Sequence, residues 1–236
     1  FAPYATAEIG TNFVILAIDN DFGRGSAAAA QATLGSAGIS FPGEPIYAPL
    51  DTTDFTPYLQ QVLNSGADGF LPIWAGDGSV TLFQQIAELG VQDQLAVVAA
   101  FNSNDIVAFS DPSTIGNISW IVYHYSFPQN EINDWLVEKH RAIFNDVPDL
   151  FTECAFATAQ AIVAAVEASG GETLPSDLIP QLEGLVFEGP KGTYAIRPSD
   201  HQALVPMYIA QLANLDDPDF NFYTLLAEVP LYQIIP

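Results

Sequence analysis

A chain of 236 residues, 49% hydrophobic and 12% aromatic, has the means to bury a proper core, which argues against disorder and allows one large domain or two small lobes. Only 5 Lys and Arg stand against 28 Asp and Glu, a formal net charge of −23 at pH 7, and this argues against nucleic acid and anionic membrane surfaces, which are bound through clustered cations. It fits a surface facing high salt, acid or the cell exterior, where screening relieves self-repulsion.

Cys154 is alone, so no internal disulfide is expected. No run of about 18 consecutive apolar residues reads as a membrane span, so direct membrane insertion is not expected. Phe1 opens the chain without a charged segment and apolar run behind it, so any secretion signal or anchor is expected to lie outside this sequence.

In chain order, Phe13 to Ala17 is a short apolar run of the buried-strand kind, and the Ala-rich stretch Ser26 to Ser36 reads as a helix closed by Gly38. Pro45 to Ala48 reads as a strand. Asp54 is positioned to cap a helix whose apolar residues Phe55, Tyr58, Leu59, Val62 and Leu63 follow helical spacing, with Pro57 tolerated in its first turn. The cycle repeats with a strand at Phe70 to Trp74, a helix carrying Val80, Phe83, Ile86 and Ala87, a strand at Leu95 to Ala99, a short turn near Asn104 to Phe109, and a strand at Ser119 to Tyr123. Strands alternating with helices predict an α/β fold with a doubly wound, mostly parallel sheet built through right-handed crossovers.

After Tyr125 the pattern changes. Two long helical segments follow, one carrying Ile132, Trp135, Leu136 and Ile143, the other Phe156, Ala159, Val163 and Val166 before Gly170-Gly171. A shorter helix near Ser176 to Glu183 precedes strands at Val186-Phe187, Thr193 to Ile196 and Val205 to Leu212. The expected organisation is a lobe over 1–125, a second segment with the crossings between lobes over 126–213, and a tail over 214–236.

No catalytic or metal constellation is complete. Gly23-Arg24-Gly25 lacks the third glycine of a dinucleotide fingerprint, and Asp19 and Asp21 lack the further ligands of a calcium loop. There is no G-x-S-x-G elbow. Cys154, in "FTECAFA", reads as a small structural thiol on a buried helix, and His124, His140 and His201 lack metal-ligand spacing. Asp216, Asp217 and Asp219 read as an exposed acidic turn, and the sequon Asn117-Ile118-Ser119 adjoins a predicted strand. The chain is therefore expected not to be an enzyme, with no cofactor and no metal.

In open α/β sheets a ligand lies outside the C-terminal strand ends. Those positions read Asp19-Asn20-Asp21-Phe22, Trp74-Ala75-Gly76-Asp77 and Phe101-Asn102-Ser103-Asn104, each an aromatic beside small polar groups. Rings supply contact area at small entropic cost and Asp or Asn fix orientation. The candidate ligand-binding residues are accordingly Asp21, Phe22, Trp74, Ala75, Gly76, Asp77, Phe101 and Asn102.

The stretches "VILAIDNDFGRGSAAA", "DTTDFTPYLQQVLNSGADGFLPIWAGDGSVTLFQQIAELG", "CAFATAQAIVAAVEASGG" and "LEGLVFEGPKGTYAIRPSDHQ", in that order and spacing, resemble the substrate-binding proteins of ABC transporters in the branched-chain amino-acid class, the type I periplasmic binding fold. The resemblance implies two lobes closing over a small polar solute (amino acid, amide or short carboxylate) and delivering it to an ABC permease outside the cytoplasm. It implies that Phe22 holds the place of a ligand-contacting aromatic and that Trp74 to Gly76 and Phe101-Asn102 border the same cleft. Phe101 and Asn102 stand where amino-acid binders carry a carboxylate for the ligand ammonium. Against the family, the sequence starts where the second lobe starts, so a further chain completing the first lobe is one expected partner. The alternative function is a structural or assembly protein that reuses the fold and uses the incomplete lobe as a subunit interface.

Overall fold

The computed structural model describes residues 1–100, 103–108 and 110–231. They form two compact units. The first comprises Phe1–Trp120, Ala210–Asp216 and Phe222–Thr224; the second comprises Ile121–Ile209, Asp217–Asn221 and the chain from Leu225 onward.

The larger sheet has strands β1 (Phe13–Ile18), β2 (Ile46–Ala48), β3 (Gly69–Ile73), β4 (Ala96–Ala100), β5 (Ile118–Ile121), β9 (Met207–Leu212) and β10 (Tyr223–Val229), in the order β10-β9-β5-β4-β3-β1-β2; β1 to β4 lie wholly in the first unit, and the residues of β5, β9 and β10 are divided between the two. The pairs β1 with β2, β1 with β3, β3 with β4 and β4 with β5 are all parallel. Helices α1 (Ala2–Glu8), α2 (Asp21–Ser36), α3 (Thr56–Leu63), α4 (Ser79–Glu88) and α5 (Asn104–Ala108) accompany them. The predicted α/β class and mostly parallel sheet are thus present.

β1 explains the layering. It is buried along its whole length, and its side chains alternate between faces with the strand period of two. Val14 and Leu16 join Phe55, Leu59, Val62, Leu82 and Ile86 in one cluster under α3 and α4, whereas Ile15 and Ala17 pack with Ala27 of α2 on the other face. Burial on both faces is why the strand reads as an unbroken apolar run. α3 places Leu59 and Val62 fully inside with Phe55 just before it, as their spacing predicts; Phe55 is its N-cap, and Asp54 accepts from the Thr56 N–H at 2.9 Å.

The second unit contains α6 (Glu131–Phe144), α7 (Leu150–Ala168), α8 (Pro175–Leu182) and an antiparallel sheet β6-β7-β8 (Val186–Gly189, Gly192–Ile196, Ala203–Leu204). Asn130 caps α6 and Asp149 caps α7, each accepting from two backbone N–H groups. By length and composition alone α7 is apolar enough to cross a membrane, although it holds no run of 18 consecutive apolar residues. Its stripe of Glu153, Ala157, Ala161 and Ala165 is nevertheless buried within the fold. There Glu153 Oε2 lies 3.7 Å from Lys191 Nζ, both side chains 1% exposed, and Glu153 Oε1 accepts from the Tyr194 hydroxyl. Lys191 Nζ also donates to the Val122 carbonyl at 3.1 Å. A buried carboxylate held by an ammonium and a phenol suits a protein interior; lipid offers it no such partners. The outer side of the unit is apolar instead, with Trp135, Ile143, Phe144, Phe151, Ile162 and Val163 exposed.

Charge is distributed with economy. Each of the five Lys and Arg side chains stands within 4 Å of a carboxylate: Arg24 with Asp19, Lys139 with Glu138, Arg141 with Asp219, Lys191 with Glu153 and Arg197 with Asp200.

Candidate functional site

The sheet order puts β2 on one side of β1 and β3 on the other, so the connections leaving β1 and β2 run in opposite directions. This is the topological switch point of the sheet, and in parallel α/β folds the crevice outside the strand ends opens there. The loops after β1 and β3 flank it, and they carry six of the eight expected residues.

After β1 the chain makes a turn whose geometry is set by two residues. Asn20 is the N-cap of α2, its side chain accepting from the Gly23 N–H at 2.9 Å. A Cβ on Gly23 would sit 1.9 Å from the Ile18 carbonyl oxygen, so only glycine allows the helix to begin this close to the strand. The helix therefore starts at Asp21, five residues earlier than Ser26, and Ser26 is not its cap. Gly25 meets no such obstruction. Asp21 lies in the first turn, where a carboxylate is favoured by the helix dipole. Phe22 follows with 53% of its surface exposed, which leaves part of the ring open to contact at the strand end.

Arg24, Asp19 and Tyr47 form a cluster at the same edge that the sequence did not single out. Arg24 Nε donates to Asp19 Oδ1 at 2.7 Å, and its guanidinium lies 4.3 Å from the Tyr47 ring centroid. The hydrogen bond and the charge of Asp19 raise the guanidinium pKa further above its ordinary value. The available signal was Tyr47's place at the end of β2.

After β3, Trp74 turns inward. Its ring meets Phe55 edge-on with centroids 4.9 Å apart, and its indole N–H donates to the Asp77 carbonyl at 2.8 Å. Gly76 and Gly78 have φ of 83° and 85°, the left-handed region in which glycine escapes the Cβ penalty. Ser79 Oγ closes the turn by donating to the Gly76 carbonyl at 2.6 Å. Ala75, Gly76 and Asp77 are exposed at the strand end. The structure thus brings Trp74 to Asp77 to one loop, with Trp74 bracing it and the next three residues facing outward. Phe101 and Asn102 lie outside the described residues.

The other candidate groups are quickly placed. Among the described residues no cluster of three or more His, Cys, Asp or Glu side chains has the arrangement of a metal site. Cys154 is exposed, which corrects its expected burial, and desolvation together with neighbouring Glu153 pushes its thiol pKa up, away from nucleophilic use. Asn117 of the sequon is buried, accepting from Gln92 Nε2 at 2.9 Å, so its amide is not open to glycosylation in the fold. His124 is buried between Ser126 Oγ at 2.8 Å and the Phe220 carbonyl at 3.1 Å; burial lowers its pKa.

The family profile for periplasmic binding proteins matches residues 1–217. The Leu/Ile/Val-binding protein homolog 6 of Brucella melitensis is 26% identical over 183 residues, covering 74% of this chain and 46% of its own length; that of Brucella suis is 25% identical over 181 residues. The chain therefore spans about half the length of these curated relatives. Among solved structures, an ABC-type branched-chain amino acid transporter protein from Rhodopseudomonas palustris is 30% identical with a TM-score of 0.79, covering 94% of this chain and 60% of that one. An ABC transporter substrate-binding protein from Sphaerobacter thermophilus shares the fold at TM-score 0.84 and 22% identity, over 97% and 63% of the two chains. A solute-binding protein from Rhodopseudomonas palustris in complex with p-hydroxybenzoic acid does so at TM-score 0.78 and 21% identity, over 98% and 63%. The family is one of binding proteins and not of enzymes. With 217 of its 236 residues matched and the doubly wound sheet in place, the chain belongs to the periplasmic binding protein family.

Proposed function

We propose that this chain supplies a solute-binding unit of an extracytoplasmic receptor for an ABC importer. The solute, a small polar organic molecule such as an amino acid, amide or short carboxylate, lies against the loops after β1 and β3, and an ABC permease receives it. The observation that carries this reading is Phe22, a ring 53% exposed on the first turn of α2 at the switch point of the sheet. A half-open ring at the strand ends offers a ligand contact area at small entropic cost. Ala75, Gly76 and Asp77 offer backbone polar groups and a carboxylate across the same crevice. Phe101 and Asn102 complete the proposed set from sequence alone. The relatives bearing the names Leu/Ile/Val-binding protein and p-hydroxybenzoate complex set the first solutes to try.

The test is a thermal-shift screen with leucine, 4-hydroxybenzoate and acetamide. A ligand present at 100 times its Kd adds about 2.7 kcal/mol to folded-state stability, which is readily seen as a rise in Tm. No shift with any member of a broad amino-acid, amide and carboxylate panel would remove the reading.

Assembly through the second unit is the competing proposal, favoured by the exposed Trp135, Phe144, Phe151, Ile162 and Val163. Native mass spectrometry separates the two: ordered oligomers without bound solute support assembly, and solute-bound monomers support the receptor.

A further inference from the structure

We propose that the first unit holds a second small-molecule site, within its own sheet-and-helix layer, for an uncharged, largely apolar molecule carrying one hydroxyl or amide group. The proposal rests on a pocket of about 420 Å³ inside that unit, which among the described residues shares only Gly76 with those expected at the strand ends. The volume falls in the range of small-molecule sites, about 300–1,000 Å³, and is well above the roughly 150 Å³ of an apolar cavity that holds benzene.

The pocket arises from small residues placed side by side. Ala99 of β4 and Ser119 of β5 are paired in register, so their side chains stand together on one face of the sheet, with Asn117 two residues earlier on the same face. On the same face of β4, Val97 is fully covered by the core cluster that includes Leu82 and Ile86 of α4. One step further along β4, Ala99 is too short to reach α4, where Val80 and Phe83 line the opposite wall. A methyl and a hydroxymethyl thus stand where the preceding layer has Val97 and Asn117, and the missing volume is the pocket.

Its polar groups are few and specific. Ser119 is 2% exposed and lines the pocket, where its hydroxyl can pair with a ligand oxygen or nitrogen. Beside it Asn117 is 5% exposed, with its Oδ1 occupied by Gln92. Among the described residues no Lys, Arg or His lines the pocket, and Asp111, the one charged group of them that does, already accepts from the Ser113 N–H at 2.9 Å. A carboxylate entering would lose its hydration without meeting a cation. The walls therefore select a neutral molecule, in contrast to the carboxylates and zwitterions suited to a solute receptor.

The probe is 4-fluorobenzyl alcohol, followed by ¹⁹F NMR, with 4-fluorobenzoate as its charged counterpart. Wild-type protein should bind the alcohol saturably and at least tenfold more tightly than the benzoate. Val80→Trp, at a position 55% exposed and so safe for folding, should close the mouth and weaken the alcohol at least tenfold. Ser119→Ala removes one hydrogen bond worth about 1 kcal/mol and should weaken it about fivefold. Phe22→Ala should leave alcohol binding unchanged, so failure of the strand-end receptor site and failure of this one are read separately. Absence of saturable binding would overturn the proposal. So would loss of binding in Phe22→Ala with Val80→Trp unaffected, or benzoate binding as tightly as the alcohol.

Discussion

Replacing Phe22 by Ala tests the strand-end reading most directly, because the structure sets both the size of the effect and its absence from folding. A phenylalanine ring has roughly 200 Å² to bury, and Phe22 keeps 53% of its surface open. About 100 Å² is then available to a solute, which at about 25 cal/mol per Å² amounts to about 2.5 kcal/mol. At 1.4 kcal/mol per tenfold change, this corresponds to roughly 60-fold in Kd as an upper value, since a solute covers part of the ring only. Isothermal titration with whichever solute the thermal-shift screen identifies should show weakening of about 10- to 60-fold, while the urea midpoint without ligand stays within about 0.5 kcal/mol of wild type, as for other surface positions. An unchanged Kd would refute the reasoning. A large loss of ligand-free stability would refute it too, because the ring would then be serving the core.

Acidification should destabilise the second unit through His124. Burial holds its pKa below 6.5, so the stability gained by keeping it neutral is complete above that value and is lost as pH falls toward the folded-state pKa; a falling urea midpoint between pH 7.5 and 5 that flattens in His124→Gln is the expected signature, and equal slopes in both proteins would contradict it. Moving from 0.1 M to 1 M KCl shortens the screening length from about 10 Å to about 3 Å, so a chain of net charge −23 should gain thermal stability; a flat or falling Tm across that range would show that the acidic surface does not oppose folding.

The parallel sheet was legible because its strands are buried on both faces and therefore read as apolar runs between turns, as Phe13 to Ala17 does. The start of α2 was not, because Gly23 and Gly25 are poor helix formers and the deciding interaction is local and particular: the Asn20 side chain reaching the Gly23 N–H. α1 was missed although Pro3 sits in its first turn, where proline is welcome. Tyr223–Val229 is a strand although an acidic turn precedes it, and its signal in the sequence is the pair of β-formers Tyr223 and Thr224 with Pro230 closing the run. At the strand ends the sequence located the loops but not the direction of each ring. Trp74 and Phe22 looked alike, and only packing distinguishes the one resting on Phe55 from the one left open. The pocket beside Ala99 and Ser119 had no sequence signature at all, because it depends on register between residues 20 apart and on side chains that are small.

Phe22 and Gly23 are adjacent in the chain and answer to different demands. The hydrogen that stands where other residues carry a Cβ lets the backbone pass the Ile18 carbonyl, while the neighbouring ring stays half open. A scan of all substitutions along this turn would therefore give two unlike rows side by side: at position 23 a collapse in the amount of folded protein for every side chain, at position 22 full yield with graded loss of ligand. On the proposed reading, two consecutive codons divide the work of a receptor, one answerable to the fold and the other to the solute.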